Sequence, residues 1–291
     1  MSDDRPTGEN GPEFSDKLRD LPAPQSHGLF GKRGRRTTGA QLRVVTRSNG
    51  PITPADASGD QWPRLSRAEP GPGAELLNRV ADGSAATVTR SFDHLRTTLL
   101  KTLKANGWSR VAIAAPTQGC GTTFSAIHLA LSLARVPGSR TALLDLNLRR
   151  PGLARALDLQ GAGDMAGFLC GQVRPADHML RIGDRLALGL TQMTETDPAD
   201  LLQSESCANA IGDLMDRLVP DVLLCDMPPL LDHDDLAAFL PQVDGVLLVA
   251  DGTQTLPDHI AACERGLKGQ TKVLGVVLNQ ARLAGPTPIH A

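Results

Sequence analysis

Pro116–Ser125 reads PTQGCGTTFS. An apolar run, Val111–Ala115, precedes it, and a helix-like run, Phe124–Ala134, follows it. A strand that feeds a glycine loop opening a helix is a place where backbone amides can cradle a phosphate. Gly119 and Gly121 allow close approach of backbone to an anion, and Cys120, Thr122 and Thr123 complete the turn. Thr123 stands where such a loop sets a hydroxyl on Mg2+. Thr122 stands where it normally carries a lysine. A dinucleotide-binding G-x-G-x-x-G is the obvious competitor. Counting from Gly119, however, its third glycine falls on Phe124, which is too bulky for close helix–strand packing.

Outward from this loop, short apolar runs alternate with helical patterns. The runs are Val111–Ala115, Thr141–Asp145, Val222–Asp226, Val246–Ala250 and Val273–Leu278. They do not alternate with polar residues, as expected of strands covered on both faces. The order predicts an α/β fold: an open, mostly parallel sheet with helices on both sides. Ligands on such sheets bind outside the carboxyl ends of the strands, so the residues after each run are the candidates for chemistry.

The second run ends in Asp145, and Asn147 lies two residues on. A carboxylate there can hold a metal-bound water or act as a base. Arg149 and Arg150 can contact phosphate or a neighbouring subunit, or form a surface pair. After the third run, Asp226 follows VLLC directly, the arrangement in which an apolar strand delivers one carboxylate to Mg2+. Pro228-Pro229 fixes an extended exit. Asp235 reads as the N-terminal acid of a helix, and the run Asp232–Asp235 with His233 reads as capping rather than metal ligation. After the last run, Asn279 can read an adenine edge or serve as a strand-end turn residue. Each signal is weak alone. Their conjunction, in the order of one nucleotide site, predicts a P-loop domain.

Composition narrows the field. The chain has 291 residues and a formal net charge of −2, so no global charge draws it to nucleic acid. Aromatics are 3% and tyrosine is absent, which argues against base-stacking modules. Five scattered cysteines form no C-x-x-C pair and fit a reducing cytoplasm. No apolar run approaches the ~18 residues a spanning helix needs. The opening MSDDRPTGEN is too acidic and polar for a secretory signal. Residues 1–73, rich in Pro, Gly, Ser, Asp and Arg, read as a disordered tail, and 74–291 as the nucleotide-binding domain. Within the tail, GLFGKRGRR (Gly28–Arg36) is a solvated charge run or a small basic patch. Phe92, Leu95, Leu99 and Leu103 share one helical face, and Asn106-Gly107 stops that helix.

PTQGCGTTFSAIHLALSLA, TALLDLNLRRPGL, DVLLCDMPPLLDHDDL, DGVLLVADG and VLGVVLN together resemble the bacterial tyrosine kinases of capsule and exopolysaccharide synthesis. These belong to the deviant Walker ATPases. The likeness runs from about Arg90 to Arg282, and includes DPADLL (Asp197–Leu202) and SFDHLRTTL (Ser91–Leu99). It implies ATP or ADP with Mg2+, ring-like self-association, and a membrane-embedded chain-length determinant protein as partner. The chain would then be cytoplasmic and peripheral to the inner membrane through that partner. By position, Gly119–Thr123 would be the Walker A loop, Thr123 and Asp226 metal ligands, Asp145 the first Walker A′ aspartate, and Asn279 an adenine contact. The departures are Thr122 for the lysine, Asn147 for the second A′ aspartate, and Arg90, Asp93, Arg96 for an E-x-x-R-x-x-R helix motif. The tyrosine cluster is absent as well. The reading is a polysaccharide-synthesis regulator with weak or absent kinase activity. The alternatives are an active kinase or ATPase of that pathway using another cation, and a partition or positioning ATPase. The last would carry a lysine where this chain has Thr117.

Overall fold

The structure, a computed structural model, describes residues 60–74, 85–159 and 163–281. Among these residues one sheet forms from β1 (Ser66–Arg67), β2 (Arg110–Ala114), β3 (Thr141–Asp145), β4 (Leu180–Ile182), β5 (Leu186–Gly189), β6 (Val222–Asp226), β7 (Gly245–Asp251) and β8 (Lys272–Asn279). The spatial order is β1-β4-β5-β3-β6-β2-β7-β8. Every neighbouring pair is parallel except β4 with β5. The mostly parallel α/β sheet read from the sequence is therefore present, and each of the five apolar runs is a strand.

The helices are α1 (Ala85–Asn106), α2 (Thr122–Ala134), α3 (Leu153–Ala156), α4 (Met165–Leu169), α5 (Pro175–His178), α6 (Pro198–Leu202), α7 (Glu205–Leu218), α8 (Asp235–Phe239) and α9 (Pro257–Leu267). Side chains alternate across a strand, so a strand buried on both faces must be apolar throughout. In β2, Val111 and Ile113 pack with Ile127, Leu129 and Leu133 of α2 and with Phe92, Leu99 and Leu103 of α1. Ala112 and Ala114 face the other layer, with Ile211 and Leu214 of α7, Phe239 of α8 and Leu267 of α9. The helix face expected from Phe92, Leu95, Leu99 and Leu103 is the one that packs, with Leu95 only partly covered. Helix α1 ends at Asn106. Gly107 turns left-handed at φ +68°, and the Trp108 N–H donates to the Leu103 carbonyl at 2.9 Å. That bond satisfies a carbonyl that the helix end would otherwise leave open.

Residues 60–74 fall at the end of the expected tail. The expectation ran through residue 73, but this segment straps the sheet edge. Ser66 and Arg67 pair in parallel with Leu180 and Arg181. Trp62 is 2% exposed and its Nε1–H donates to the Asp184 carbonyl at 2.9 Å. The Arg140 guanidinium lies 5.2 Å from the Trp62 ring centre and bonds Asp60 at 2.7 Å. An average over a polar stretch hides one short apolar segment whose burial depends on a distant hairpin. Residues 1–59, including Gly28–Arg36, lie outside the described residues.

The β4–β5 hairpin is not evident from the sequence either. Its strands have three and four residues, too short to show a period, although Gly183 at φ +58° followed by Asp184 is a turn signal. Among the described residues, no helix is long and apolar enough to cross a membrane.

Candidate functional site

The carboxyl ends of β2, β3, β6, β7 and β8 meet around the glycine loop. Gly119 and Gly121 both take left-handed φ, +88° and +86°, and Gly121 is the residue that precedes α2. A helix leaves its first-turn N–H groups without intrahelical acceptors. The loop therefore presents donors at the positive end of the α2 dipole. Thr122 opens that helix and is half-buried.

Thr123 Oγ1 donates to Asp226 Oδ2 at 2.7 Å. Asp226 closes β6 directly opposite Asp145, which closes β3. Both carboxylates are fully buried. Asp145 Oδ2 accepts from the N–H groups of Gly152 and Leu153 at 3.0 and 2.9 Å. The second oxygen of each carboxylate has no hydrogen-bond partner among the described residues. Burial raises the Asp145 pKa to about 7. Burial also pushes Asp226 well above the usual carboxylate range. The neighbouring Asp145 charge adds to this, and the Thr123 bond opposes it. Two buried acids with orphaned oxygens are costly alone. With the Thr123 hydroxyl they form a hard-oxygen donor set of the kind Mg2+ takes. Gly152 closes the site from the β3 side: a Cβ there would lie 3.2 Å from Thr123 Oγ1.

Asn279, at the end of β8, lies against the loop. Its Nδ2–H donates to the Cys120 carbonyl at 2.9 Å, and a Cβ on Gly121 would collide with the same nitrogen. The Cys120 side chain is fully buried, with Sγ 3.5 Å from Thr255 Oγ1.

Arg149, a candidate phosphate ligand, is engaged elsewhere. Its Nε and one terminal nitrogen make a two-pronged pair with Asp235 at 2.8 and 2.9 Å, and the other donates to the Thr196 carbonyl at 2.8 Å. Asp235 is fully buried, so this pair joins the β3 loop to α8. The expected N-terminal acid of α8 is thus the acceptor for Arg149. Arg150 is exposed, and its N–H is held by Asn147. Asp93 accepts from Arg96, Ser132 and Arg135 between α1 and α2, so two charges of the altered helix motif, Asp93 and Arg96, serve an intrachain contact.

One strand end adds a residue that the sequence reading lacks. Asp251, closing β7, accepts from the Thr253 N–H at 2.7 Å, from its hydroxyl at 2.6 Å, and from the Gln254 and Gln280 amides at 2.8 and 3.0 Å. Burial alone would raise its pKa, but these bonds outweigh it and hold Asp251 below its ordinary value. Gln254 in turn sits 3.5 Å from where a Cβ on Gly119 would be. The available signal is the Asp-Gly that follows a buried run, as at the other strand ends.

No protein-family model matches the chain. In an alignment of 216 residues that covers 72% of this chain, it is 27% identical to the succinoglycan biosynthesis transport protein ExoP of Rhizobium meliloti. The chain spans only 27% of that protein. Among solved structures it is similar to the VpsO kinase domain at TM-score 0.59 and 24% identity, over 68% of this chain and 96% of that one. The kinase domain of Escherichia coli tyrosine kinase Etk gives TM-score 0.59 and 20% identity, over 68% and 79%. The BceF tyrosine kinase domain gives TM-score 0.58 and 20% identity, over 74% and 91%. At these identities the structural likeness is one of fold. It is the fold of bacterial tyrosine-kinase domains, to which the loop and strand-end motifs also point.

Proposed function

We propose that the chain is an ATP-binding P-loop regulator of exopolysaccharide synthesis with weak or absent kinase activity. It would act with a membrane-embedded chain-length determinant protein, at the cytoplasmic side of the inner membrane. The observation that carries this reading is the 2.7 Å bond from Thr123 to Asp226, beside a loop whose lysine position is Thr122. Thr123 and Asp226 would hold Mg2+, with Asp145 bracing the site, and Mg2+ would neutralise phosphate charge. The backbone of Gly119, Cys120, Gly121 and Thr122 would cradle the phosphates of ATP or ADP.

A lysine contributes charge-assisted bonds of roughly 1.5–3 kcal/mol each. Thr122 offers one neutral donor on a shorter arm. Each such bond that threonine fails to make weakens nucleotide affinity about 10- to 100-fold. Transfer suffers more, because the missing charge would counter charge that develops in the transition state. The chain also has no tyrosine, so any phosphotransfer to tyrosine must be to another protein. The pathway assignment draws support from the polysaccharide-branch motifs and from the name of the ExoP relative.

Calorimetric titration with Mg-ATP and Mg-ADP tests the reading. Binding by the wild type that Asp226→Ala abolishes supports it. Wild-type protein that does not bind, or binding indifferent to that substitution, overturns it. A second reading, an active kinase or ATPase of the same pathway, is favoured by exposed Arg150, three residues after Asn147 and two before Gly152, where an added Cβ would meet Thr123. In that case Thr122→Lys changes neither affinity nor turnover.

A further inference from the structure

We infer that Asn279 is a positioning residue that sets the shape of the phosphate loop, rather than a reader of the adenine base. The inference rests on the nucleotide reading above and deepens it. The backbone of Asn279 is fixed first. It pairs in register with Asp251, and its carbonyl accepts from the Gly252 N–H at 2.8 Å. Gly252 has no room for a side chain, because a Cβ would meet the Ala281 Cα at 3.0 Å. The next residue, Gln280, is turned to φ +55° and its amide is bound to Asp251.

From this anchored position the side chain reaches the loop at one carbonyl, that of Cys120, which lies between the two left-handed glycines. A trans peptide is planar, so its C=O and N–H point in opposite directions. Tying the Cys120 carbonyl to β8 therefore turns the Gly121 N–H to the opposite side of the same plane. The Asn279 amide also fills the space in which Gly121 would carry a Cβ, so the two residues fit as one unit. Reading adenine through a side-chain amide needs its donor and acceptor together on the base edge. Here one N–H of the Asn279 amide is already committed to the loop, which fixes the direction in which the remaining N–H and the oxygen can point. With threonine at the lysine position, anion binding falls to the backbone amides, and their orientation matters more.

The test compares wild type with Asn279→Ala and with Asn279→Leu, which keeps about the same size but removes the donor without adding a charge. The probes are Mg2+ with inorganic tripolyphosphate, which has no base, and Mg2+ with ATP. Hydrogen exchange of the Cys120–Thr123 amides is followed in ligand-free protein. The expected result is faster loop exchange in both variants, and a loss of about fivefold in affinity that is the same for both probes. Unchanged exchange together with a loss confined to ATP would overturn the inference in favour of base reading. Unchanged exchange and unchanged affinities would overturn it outright. If wild-type protein binds neither probe, the nucleotide reading fails, and the exchange comparison alone still decides the positioning role.

Discussion

At the residue scale, the site turns on a missing charge and a crowded pair of acids. Restoring the cation should show what it was worth. Thr122→Lys is expected to raise Mg-ATP affinity about 10- to 100-fold by calorimetry. The acids make the metal-free protein sensitive to pH. Asp145 has its folded pKa raised to about 7 and Asp226 is raised too, so the folded state binds more protons than the unfolded one. Stability from this pair is then fully present below the ordinary aspartate pKa and is lost as pH rises towards and through about 7. Denaturant midpoints of metal-free protein should be lower at pH 8 than at pH 5. Asp145→Asn, which removes the ionisation, should flatten that slope. The positions of Asp145 and Asp226 were legible because each closes an apolar run, and that of Thr123 because it follows the glycine loop. The pairing of Arg149 with Asp235 was not, because no local pattern announces a partner 86 residues away.

At the element scale, the Arg149–Asp235 pair ties the loop after β3 to α8, and through it the two loops that flank Asp145 and Asp226. Removing one partner of a buried pair strands the other charge, at about 3–5 kcal/mol. Arg149→Ala should therefore lower the unfolding free energy by roughly 3 kcal/mol in a denaturant titration, the lower figure because the arginine is partly solvated. Asp235→Asn should cost less, since no buried carboxylate remains. Elements were legible where the sequence carries long-range burial on its surface. Val222–Asp226 and Thr141–Asp145 match the strands at both bounds. Asn106-Gly107 marks the true end of α1. The β4–β5 hairpin escaped because three- and four-residue strands give no period, and β1 because its Ser66-Arg67 is polar and exposed. Its pairing is set by Trp62 and Leu65 packing nearby.

At the scale of the whole molecule, the strap of residues 60–74 extends the sheet by one strand beyond the hairpin. Trp62 joins the layer that holds α7 and α8. Trp62→Ala should destabilise the protein by about 3–5 kcal/mol, read as a lowered denaturant midpoint with an unchanged slope. Arg140→Ala should cost less, about 1 kcal/mol, because it removes an edge contact and an exposed ion pair while the indole stays covered. The practical lesson concerns where to cut. A shortened version designed to begin where helical periodicity sets in, near residue 85, would leave a lipophilic slot bare along the rim and invite clumping. Trimmed forms made for calorimetry or crystallisation should keep everything from Asp60 onward.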